Sequence, residues 1–232
     1  MKHDPALPGV DPALLERIEA VIFDMDGVLV DSEPLHRAAF LDVFAELGHA
    51  DDHGVRFENF YGRSDRAVWE DFLGRHRAPW PIERLMEEKE ARFLERLRRE
   101  RPVFPEIPSL AAELAKRRRL AVASSSPRRI IETVLDMAGL RPFFQTYAGA
   151  EDVRRLKPDP EIFLLAAERL GVPPRACAVV EDSPAGIEAA NRAGMLSLGV
   201  ATSLPPERLS KAAYAARSHA EIRDLLLERD SK

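Results

Sequence analysis

Two aspartates separated by one residue end an apolar, β-rich run near the start of the chain. The run Ala20–Asp24 contains the first of them, and Met25, Asp26 and Gly27 follow. Side chains at positions i and i+2 leave a strand on the same side, with their Cα atoms roughly 6–7 Å apart. The repulsion between two such carboxylates must be offset by a cation or by a proton on one of them. Gly27 permits the backbone to turn beside a ligand.

Polar groups also follow three later apolar runs. They are Ser124 with the two serines after it, Lys157, and the pair Glu181-Asp182. Together with Asp182, the aspartates of the first run supply an oxygen-rich site suited to Mg²⁺, an ion that takes few carboxylates, keeps water ligands and binds phosphate. The residue types therefore favour a magnesium site that receives a phosphate group.

Each of these groups also has a purely structural interpretation. The paired aspartates alone could form a solvated turn, and Lys157 could be a solvated loop lysine, although prolines fix its loop. Ser124 could be the last residue of its strand, with Ser125 or Ser126 making the contact to the phosphate group instead. The acids before Pro184 could serve as an acidic cap for the helix that opens there.

The apolar runs predict the elements that position these groups. Strands are predicted at Ala20–Asp24, Leu120–Ser124, Thr146–Ala148, Ala176–Val180 and Leu196–Val200. Amphipathic stretches between them predict helices at Ser109–Arg118, Pro127–Met137, Pro160–Leu170 and Pro184–Ala193. This alternation indicates βαβ crossovers, and hence an α/β fold with a Rossmann-like, doubly wound parallel sheet. In such sheets ligands bind beyond the carboxyl ends of the strands, where the polar groups lie.

One region breaks the alternation and predicts an inserted all-helical subdomain. From about Leu35 to Arg101 the periodicity is helical only, with predicted helices at Arg37–Leu47, Ser64–Arg75 and Ile82–Arg99. We predict a catalytic core of residues 1–33 and 103–232, and a helical cap of residues 34–102 over the active edge of the sheet. The alternative is that these are ordinary surface helices.

The motifs resemble those of the haloacid dehalogenase-like superfamily, in its β-phosphoglucomutase and sugar-phosphatase branch with a helical cap. Phe23–His36 is similar to the first family motif and its continuation, Ser124 to the second, Lys157-Pro158 to the third and Glu181–Ile187 to the fourth. All four occur in the family's order and spacing, and the resemblance covers about residues 20–200.

The resemblance implies catalytic roles for four residues. Asp24 would be the nucleophile that attacks phosphorus and forms an aspartyl-phosphate. Asp26 would be the general acid–base that protonates the leaving oxygen and then activates water. Ser124 would hydrogen-bond one phosphoryl oxygen, while Lys157 would neutralise another and orient Asp24.

The resemblance also implies a bound Mg²⁺. Its ligands would be Asp24, the backbone carbonyl of Asp26, and Asp182, with Glu181 either a further ligand or a support for the others.

The second aspartate of the first motif bears on the reaction class. The family's dehalogenases lack this acid, because halide leaves without being protonated, so Asp26 favours phosphoryl transfer. His36 and Lys89 resemble cap residues of the β-phosphoglucomutases, although both could equally be surface residues. The turn around Ser64 resembles the substrate-specificity turn of those mutases, but Asp65 stands where they have an arginine. Since a mutase must bind a second phosphate, this replacement counts against mutase activity.

The predicted substrate-binding residues therefore combine core and cap positions. They are Ser124, Lys157, His36, Arg63, Arg66 and Lys89. The predicted function is that of a Mg²⁺-dependent phosphatase, a phosphoric monoester hydrolase acting on a small phosphorylated metabolite such as a sugar phosphate. A β-phosphoglucomutase-type phosphomutase is the main alternative, and a non-catalytic protein that binds a phosphorylated metabolite is an alternative of another class.

Composition narrows the cellular setting and the partners. The chain has 232 residues, a net charge of −5 and a single cysteine, which excludes an intrachain disulfide framework. The acidic balance argues against nucleic acid as a partner. No apolar stretch approaches the roughly 20 residues of a membrane span, and Met1–Asp11 lacks the apolar region of a signal peptide. We therefore expect a cytoplasmic protein, monomeric by default, with a small phosphorylated metabolite as its partner.

Overall fold

The computed structural model describes residues 10–60 and 64–227, which separate into two compact units. The described residues up to Asp31 and those from Val103 onward form one unit, called the sheet unit below. The described residues of Ser32–Pro102 form the other, called the helical unit.

Within the described residues the helices follow the chain in a simple order. They are α1 (Pro12–Leu15), α2 (Glu33–Glu46), α3 (Asp65–Leu73), α4 (Ile82–Glu100), α5 (Ile107–Leu114), α6 (Arg128–Met137), α7 (Glu161–Leu170), α8 (Pro184–Arg192) and α9 (His219–Leu227). Short 3₁₀ turns occur at Phe57–Asn59, Arg141–Phe143, Ala150–Asp152, Pro174–Ala176 and Pro206–Leu209. None of these helices combines the length and the apolar character needed to cross a bilayer.

The sheet unit is built on one parallel sheet. Its strands in the described chain are β1 (Ala20–Phe23), β2 (Arg119–Ala123), β3 (Thr146–Ala148), β4 (Cys177–Glu181), β5 (Leu196–Val200) and β6 (Tyr214–Ala216). Their spatial order is β3-β2-β1-β4-β5-β6, and every neighbouring pair is parallel. The predicted α/β fold with a Rossmann-like, doubly wound parallel sheet is therefore confirmed.

The position of β1 in the middle of the sheet explains its composition. All four of its residues are buried, because β2 and β4 pair with its two edges and α7 packs against it. On one face Ile22 packs in a cluster with Phe163 of α7, and alanines such as Ala121 and Ala166 keep that layer thin. The chain must therefore leave this buried strand at Asp24, where the first polar group stands.

The helical unit has an aromatic core of its own. Phe44 stacks on Phe72 at 4.7 Å and meets Trp69 edge-on at 5.3 Å, so α2 and α3 are joined by ring contacts. The predicted helices of this region are present, but α2 begins at Glu33 rather than Arg37. Pro34 lies in its first turn, where a missing backbone N–H removes no helical hydrogen bond.

Candidate active site

The polar groups predicted at strand ends meet at one edge of the sheet. Asp24 follows β1, Ser124 follows β2, Glu181 is the last residue of β4 and Asp182 comes next. The loop between β3 and α7 supplies Lys157. Because the strands are parallel, their carboxyl ends lie on the same side, and residues far apart in the chain become neighbours.

Lys157 links three of these segments through its buried ammonium group. Its Nζ lies 2.6 Å from Oδ1 of Asp24, 2.7 Å from Oε1 of Glu181 and 3.1 Å from the carbonyl oxygen of Ala123. Each contact is a hydrogen bond that Nζ donates, so all three protons of the ammonium are used. Lys157 is therefore a fixed cation beside Asp24 and not a solvated loop residue.

Negative charge exceeds positive charge in this part of the molecule. One carboxylate oxygen from each of Asp24, Glu181 and Asp182 lies within 4.8 Å of the others, and all three residues are buried. Burial, opposed by Lys157 and reinforced by Glu181 and Asp26, raises the pKa of Asp24 from 3.8 to about 7.

The same surplus of negative charge shifts the pKa values of Asp182 and Lys157. Burial and the carboxylates of Glu181 and Asp24 raise the pKa of Asp182 well above its ordinary value. Burial alone would lower the pKa of Lys157, but Asp24 and Glu181 outweigh it and raise that pKa. An all-oxygen donor set with a buried excess of negative charge fits a hard divalent cation such as Mg²⁺.

Glu181 uses both of its carboxylate oxygens within the protein. Oε1 accepts from Lys157, while Oε2 accepts from the backbone N–H of Ser183 at 2.8 Å and from its hydroxyl at 2.9 Å. Ser183 in turn caps α8 by accepting from the N–H of Gly186 at 3.0 Å. A Cβ at Gly186 would stand 1.8 Å from Oε1 of Glu181, so only glycine fits. Glu181 thus positions Lys157 and the start of α8.

Asp26 faces the serines that follow β2. Its Oδ2 accepts from the hydroxyl of Ser126 at 2.8 Å and lies 3.4 Å from Oγ of Ser124. Oγ of Ser124 also accepts from the backbone N–H of Ser126 at 3.0 Å. The shorter contact to Asp26 therefore comes from Ser126. The sequence had named Ser126 only as an alternative to Ser124 for the contact to the phosphoryl group.

The sequence interpretation missed several residues that hold this site together. Oγ1 of Thr202 donates to the carbonyl of Gly27 at 2.5 Å, and the hydroxyl of Ser203 hydrogen-bonds Asp182. Both residues follow β5, so the rule of searching each strand end would have found them. His219 donates from Nε2 to the carbonyl of Val28 at 2.8 Å. It lies at the start of α9, where no motif pointed.

Gly27 closes the turn between the first motif and Asp182. Its φ of +73° is a left-handed conformation that side chains disfavour. A Cβ at this position would also lie 1.9 Å from Oδ2 of Asp182. Glycine is therefore required here on two grounds, conformation and space.

In the helical unit, Lys89 and His36 contact each other. Nζ of Lys89 lies 2.5 Å from Nδ1 of His36 and 2.7 Å from Oδ2 of Asp65. The same ammonium is 4.8 Å from the ring centroid of Phe40 and 5.1 Å from that of Phe93. Lys89 is only 1% exposed, so the alternative that it is a surface residue is wrong.

Of the two arginines predicted to bind substrate from the cap, the structure describes Arg66. Arg66 forms an exposed ion pair with Glu83, whose Oε1 lies 3.3 Å from its Nη2. Arg63 lies outside the described residues.

Comparison with known proteins identifies the family. The family model of the haloacid dehalogenase-like hydrolases matches residues 18–194 of the sequence. The chain belongs to this family. Hexitol phosphatase B of Escherichia coli K12 is 38% identical over 190 residues, which cover 79% of this chain and 84% of the relative. The phosphorylated carbohydrates phosphatase of Thermotoga maritima is 35% identical over 216 residues, or 91% and 99% of the two chains.

Solved structures of haloacid dehalogenase-like proteins agree with this assignment. CbbY from Rhodobacter sphaeroides in complex with phosphate has a TM-score of 0.77 at 31% identity, over 88% of this chain and 96% of that one. A β-phosphoglucomutase from Clostridium difficile has a TM-score of 0.73 at 30% identity, over 93% and 100%. The predictions of the family branch and of a hydrolase are confirmed, since the two curated relatives named above are called phosphatases.

Proposed function

We propose that this haloacid dehalogenase-like protein is a phosphatase that hydrolyses a small phosphorylated sugar, with Asp24 as the nucleophile. The observation that carries the proposal is the pairing of a buried Asp24 with Lys157, 2.6 Å apart, beside the further carboxylates Glu181 and Asp182. The names of the relatives, hexitol phosphatase and phosphorylated carbohydrates phosphatase, support the substrate class.

In the first step, one carboxylate oxygen of Asp24 attacks phosphorus. The bond from phosphorus to the sugar oxygen breaks as the bond to Asp24 forms, giving an aspartyl-phosphate. Asp26 donates a proton to the departing sugar oxygen, so that an alcohol leaves instead of an alkoxide. Lys157 holds Oδ1 of Asp24 in place and offsets its charge, which leaves Oδ2 for the attack.

In the second step, the Asp26 carboxylate takes a proton from water. The water oxygen then forms a bond to phosphorus, and the bond between phosphorus and Asp24 breaks. Orthophosphate leaves and the carboxylate of Asp24 is restored. The hydroxyls of Ser126 and Ser124 hydrogen-bond Asp26, and we infer that they steady it through its two proton transfers.

The excess of buried carboxylate supports a bound Mg²⁺. Asp24, Asp182 and the carbonyl of Asp26 would hold it, and Glu181, whose oxygens are engaged by Lys157 and Ser183, would support these ligands. When bound, Mg²⁺ neutralises charge on the phosphoryl oxygens and on the carboxylates around them.

The likeness to a β-phosphoglucomutase structure favours a phosphomutase as the second candidate. A mutase must bind a second phosphate, and the position where an arginine would do so is Asp65, which is paired with Lys89. The pairing neutralises Lys89 and places a carboxylate where a cation is needed. We therefore prefer hydrolysis.

Product analysis on a panel of sugar and hexitol phosphates tests the proposal. With Mg²⁺ present, we expect one orthophosphate for each substrate consumed. Asp24→Asn should lower kcat at least about 1,000-fold, because an amide cannot replace the nucleophile. Asp42→Asn, a matched change at a residue that pairs with Arg96 in the helical unit, is the control and should keep activity.

Three results would reject the hydrolase. Phosphate retained on a new oxygen of the sugar would establish the mutase. Equal turnover by the wild type and Asp24→Asn would show that Asp24 is not the nucleophile. A folded wild type that binds a sugar phosphate and never releases phosphate would support the non-catalytic alternative.

A further inference from the structure

A second group of metal-ligating side chains lies wholly within the helical unit. It consists of His49, just beyond the end of α2, Asp52 in the following turn, and His76, just beyond the end of α3. One ligand atom from each residue lies within 4.8 Å of the other two. None of the three belongs to the family motifs or to the site built on the sheet.

The backbone holds both histidines in defined positions. The N–H of His49 donates to the carbonyl of Phe44 at 2.8 Å, and the N–H of His76 donates to the carbonyl of Phe72 at 2.9 Å. Both rings also pack on Phe72, His76 stacked at 4.8 Å and His49 edge-on at 5.5 Å. The two imidazoles are therefore fixed side by side, with their centroids 4.1 Å apart.

The hydrogen bonding of the cluster is incomplete without a ligand. Nδ1 of His49 is 2.9 Å from Oδ1 of Asp52. Within the described residues, Nε2 of His76 is buried and has no hydrogen-bond partner. A buried ring nitrogen without a partner costs free energy, and two adjacent imidazoles repel when both are protonated. Coordination of a cation by neutral rings removes both penalties.

We propose that His49, Asp52 and His76 bind one divalent transition-metal ion, for which Zn²⁺ is the best chemical fit. Two imidazoles and one carboxylate form a donor set suited to Zn²⁺ and poorly suited to Mg²⁺, which prefers oxygen. Zinc–ligand bonds of about 2.0–2.2 Å place donor atoms roughly 3.4 Å apart, so donor atoms that lie within 4.8 Å of one another need to shift by at most about 1.4 Å. Because the Asp52 side chain is 69% exposed, the ion can enter from solvent and keep water in its remaining position.

The consequence for the fold is a clamp between two helices. The metal ties the segment after α2 to the segment after α3, where the helical unit otherwise relies on ring packing. We expect it to raise the melting temperature of the unit without supplying the chemistry of the sheet edge.

The test is zinc binding to the full chain in the presence of excess Mg²⁺, with a chromogenic chelator as competitor. The wild type should bind one Zn²⁺ tightly and melt at a higher temperature with it, and Co²⁺ in place of Zn²⁺ should give visible d–d absorption. His76→Gln and Asp52→Asn should each weaken zinc binding at least tenfold and remove the thermal shift. Since Asp52 is exposed, its variant keeps the test valid if His76→Gln does not fold.

Two matched controls separate this site from its surroundings. His53→Gln changes a neighbouring histidine whose Nδ1 accepts from Val55, outside the cluster, and should leave zinc affinity unchanged. Asp182→Asn alters the carboxylates at the sheet edge and should also retain the site. Failure of the wild type to bind zinc, equal binding by His76→Gln and the wild type, or loss of binding in Asp182→Asn would each overturn the proposal.

Discussion

Among the described residues, each unit has one lysine with a buried side chain, and these two lysines, Lys157 and Lys89, have different surroundings. In the sheet unit Lys157 contacts Asp24 and Glu181, with Asp182 close by, so carboxylates outnumber the ammonium. In the helical unit Lys89 contacts one carboxylate, Asp65, together with an imidazole and two aromatic rings.

The difference separates a site that needs another cation from one that does not. The pair in the helical unit is balanced and is satisfied by the protein itself. The cluster in the sheet unit is stable only when a proton or a metal ion compensates its surplus, which is typical of functional sites. Burial of charge alone therefore does not indicate chemistry, whereas an uncompensated surplus of one sign does.

Replacing each lysine by methionine gives the largest contrast. Lys157→Met leaves at least three buried carboxylates without a cation, and we expect a loss of about 3–5 kcal/mol in unfolding free energy and at least about 1,000-fold in kcat. Lys89→Met leaves Asp65, which reaches water, and should cost only about 1 kcal/mol. Urea unfolding and phosphate release measure both. Equal losses in the two variants would contradict the comparison.

The pH dependence of the unfolding free energy of the metal-free protein should reveal the surplus of buried negative charge. The pKa of Asp24 is about 7 when folded and 3.8 when unfolded. Between these values the folded state binds more protons, so the unfolding free energy should fall as pH rises from about 4 to about 7. The check is urea unfolding across this range in a chelator. Asp24→Asn should flatten the slope, and an unchanged slope would reject the assignment.

Removing one carboxylate should stabilise the metal-free sheet unit. Burial and the carboxylates of Glu181 and Asp24 raise the pKa of Asp182, which means that its charged form destabilises the fold, so Asp182→Asn should have a higher unfolding free energy than the wild type at pH 8 in a chelator. The same variant should lose the rise in melting temperature that Mg²⁺ gives the wild type. Calorimetry with and without Mg²⁺ measures both effects. A destabilised variant that still responds to Mg²⁺ would show that Asp182 is not destabilised by the neighbouring carboxylates and does not bind the ion.

In the helical unit, the balanced pair should respond in the opposite way to loss of a carboxylate. Asp65→Asn keeps a hydrogen-bond acceptor beside the buried Lys89 but removes the negative charge that offsets its ammonium, and we expect a loss of about 1–2 kcal/mol. This exceeds the cost of Lys89→Met, because the lysine is the buried member of the pair. Chemical denaturation compares the unfolding free energies of the two variants. A larger loss in Lys89→Met would show that leaving Asp65 without its partner costs more than leaving Lys89 without its own.

The smallest effect is expected at the serines beside Asp26. Ser126→Ala removes the 2.8 Å hydrogen bond and should lower kcat roughly two- to tenfold, as for a bond worth about 0.5–1.5 kcal/mol. Ser124 is farther from Asp26, at 3.4 Å, and the family resemblance implies that it hydrogen-bonds a phosphoryl oxygen of the substrate. Ser124→Ala should therefore raise KM more than it lowers kcat. Steady-state kinetics on one substrate separate the two outcomes. A larger fall in kcat for Ser124→Ala would reverse the roles.

Much of the sheet could be predicted from the sequence, since its strands are short apolar runs that end in polar residues. The third and fifth strands have the predicted bounds, but β4 is Cys177–Glu181 and not Ala176–Val180. Glu181 continues the strand by pairing with Gly199 of β5, and Lys157 and Ser183 satisfy its buried carboxylate there. These are tertiary contacts that propensity does not encode. The strand Tyr214–Ala216 and helix α9 were not predicted, and the strand is only three residues long.

The site was predictable in outline and not in detail. The strand-end rule brought Asp24, Lys157 and Asp182 together, because a parallel sheet imposes that convergence. Which serine contacts Asp26 depends on the turn that bonds Ser124 to the backbone of Ser126, and one residue of uncertainty in the strand end hides it. In the helical unit, the partner of Lys89 is 24 residues away, a distance at which periodicity gives no information.

The central place of β1 has a consequence for how the protein is made. During synthesis this strand leaves the ribosome well before β4, the neighbour in which Cys177 lies opposite Ala20. Until then the nascent chain exposes an apolar strand edge, which invites pairing with other polypeptides. Asp24 also lacks most of its electrostatic surroundings in that interval. The polypeptide therefore acquires its reactive centre only after Asp182 has been added and can fold back.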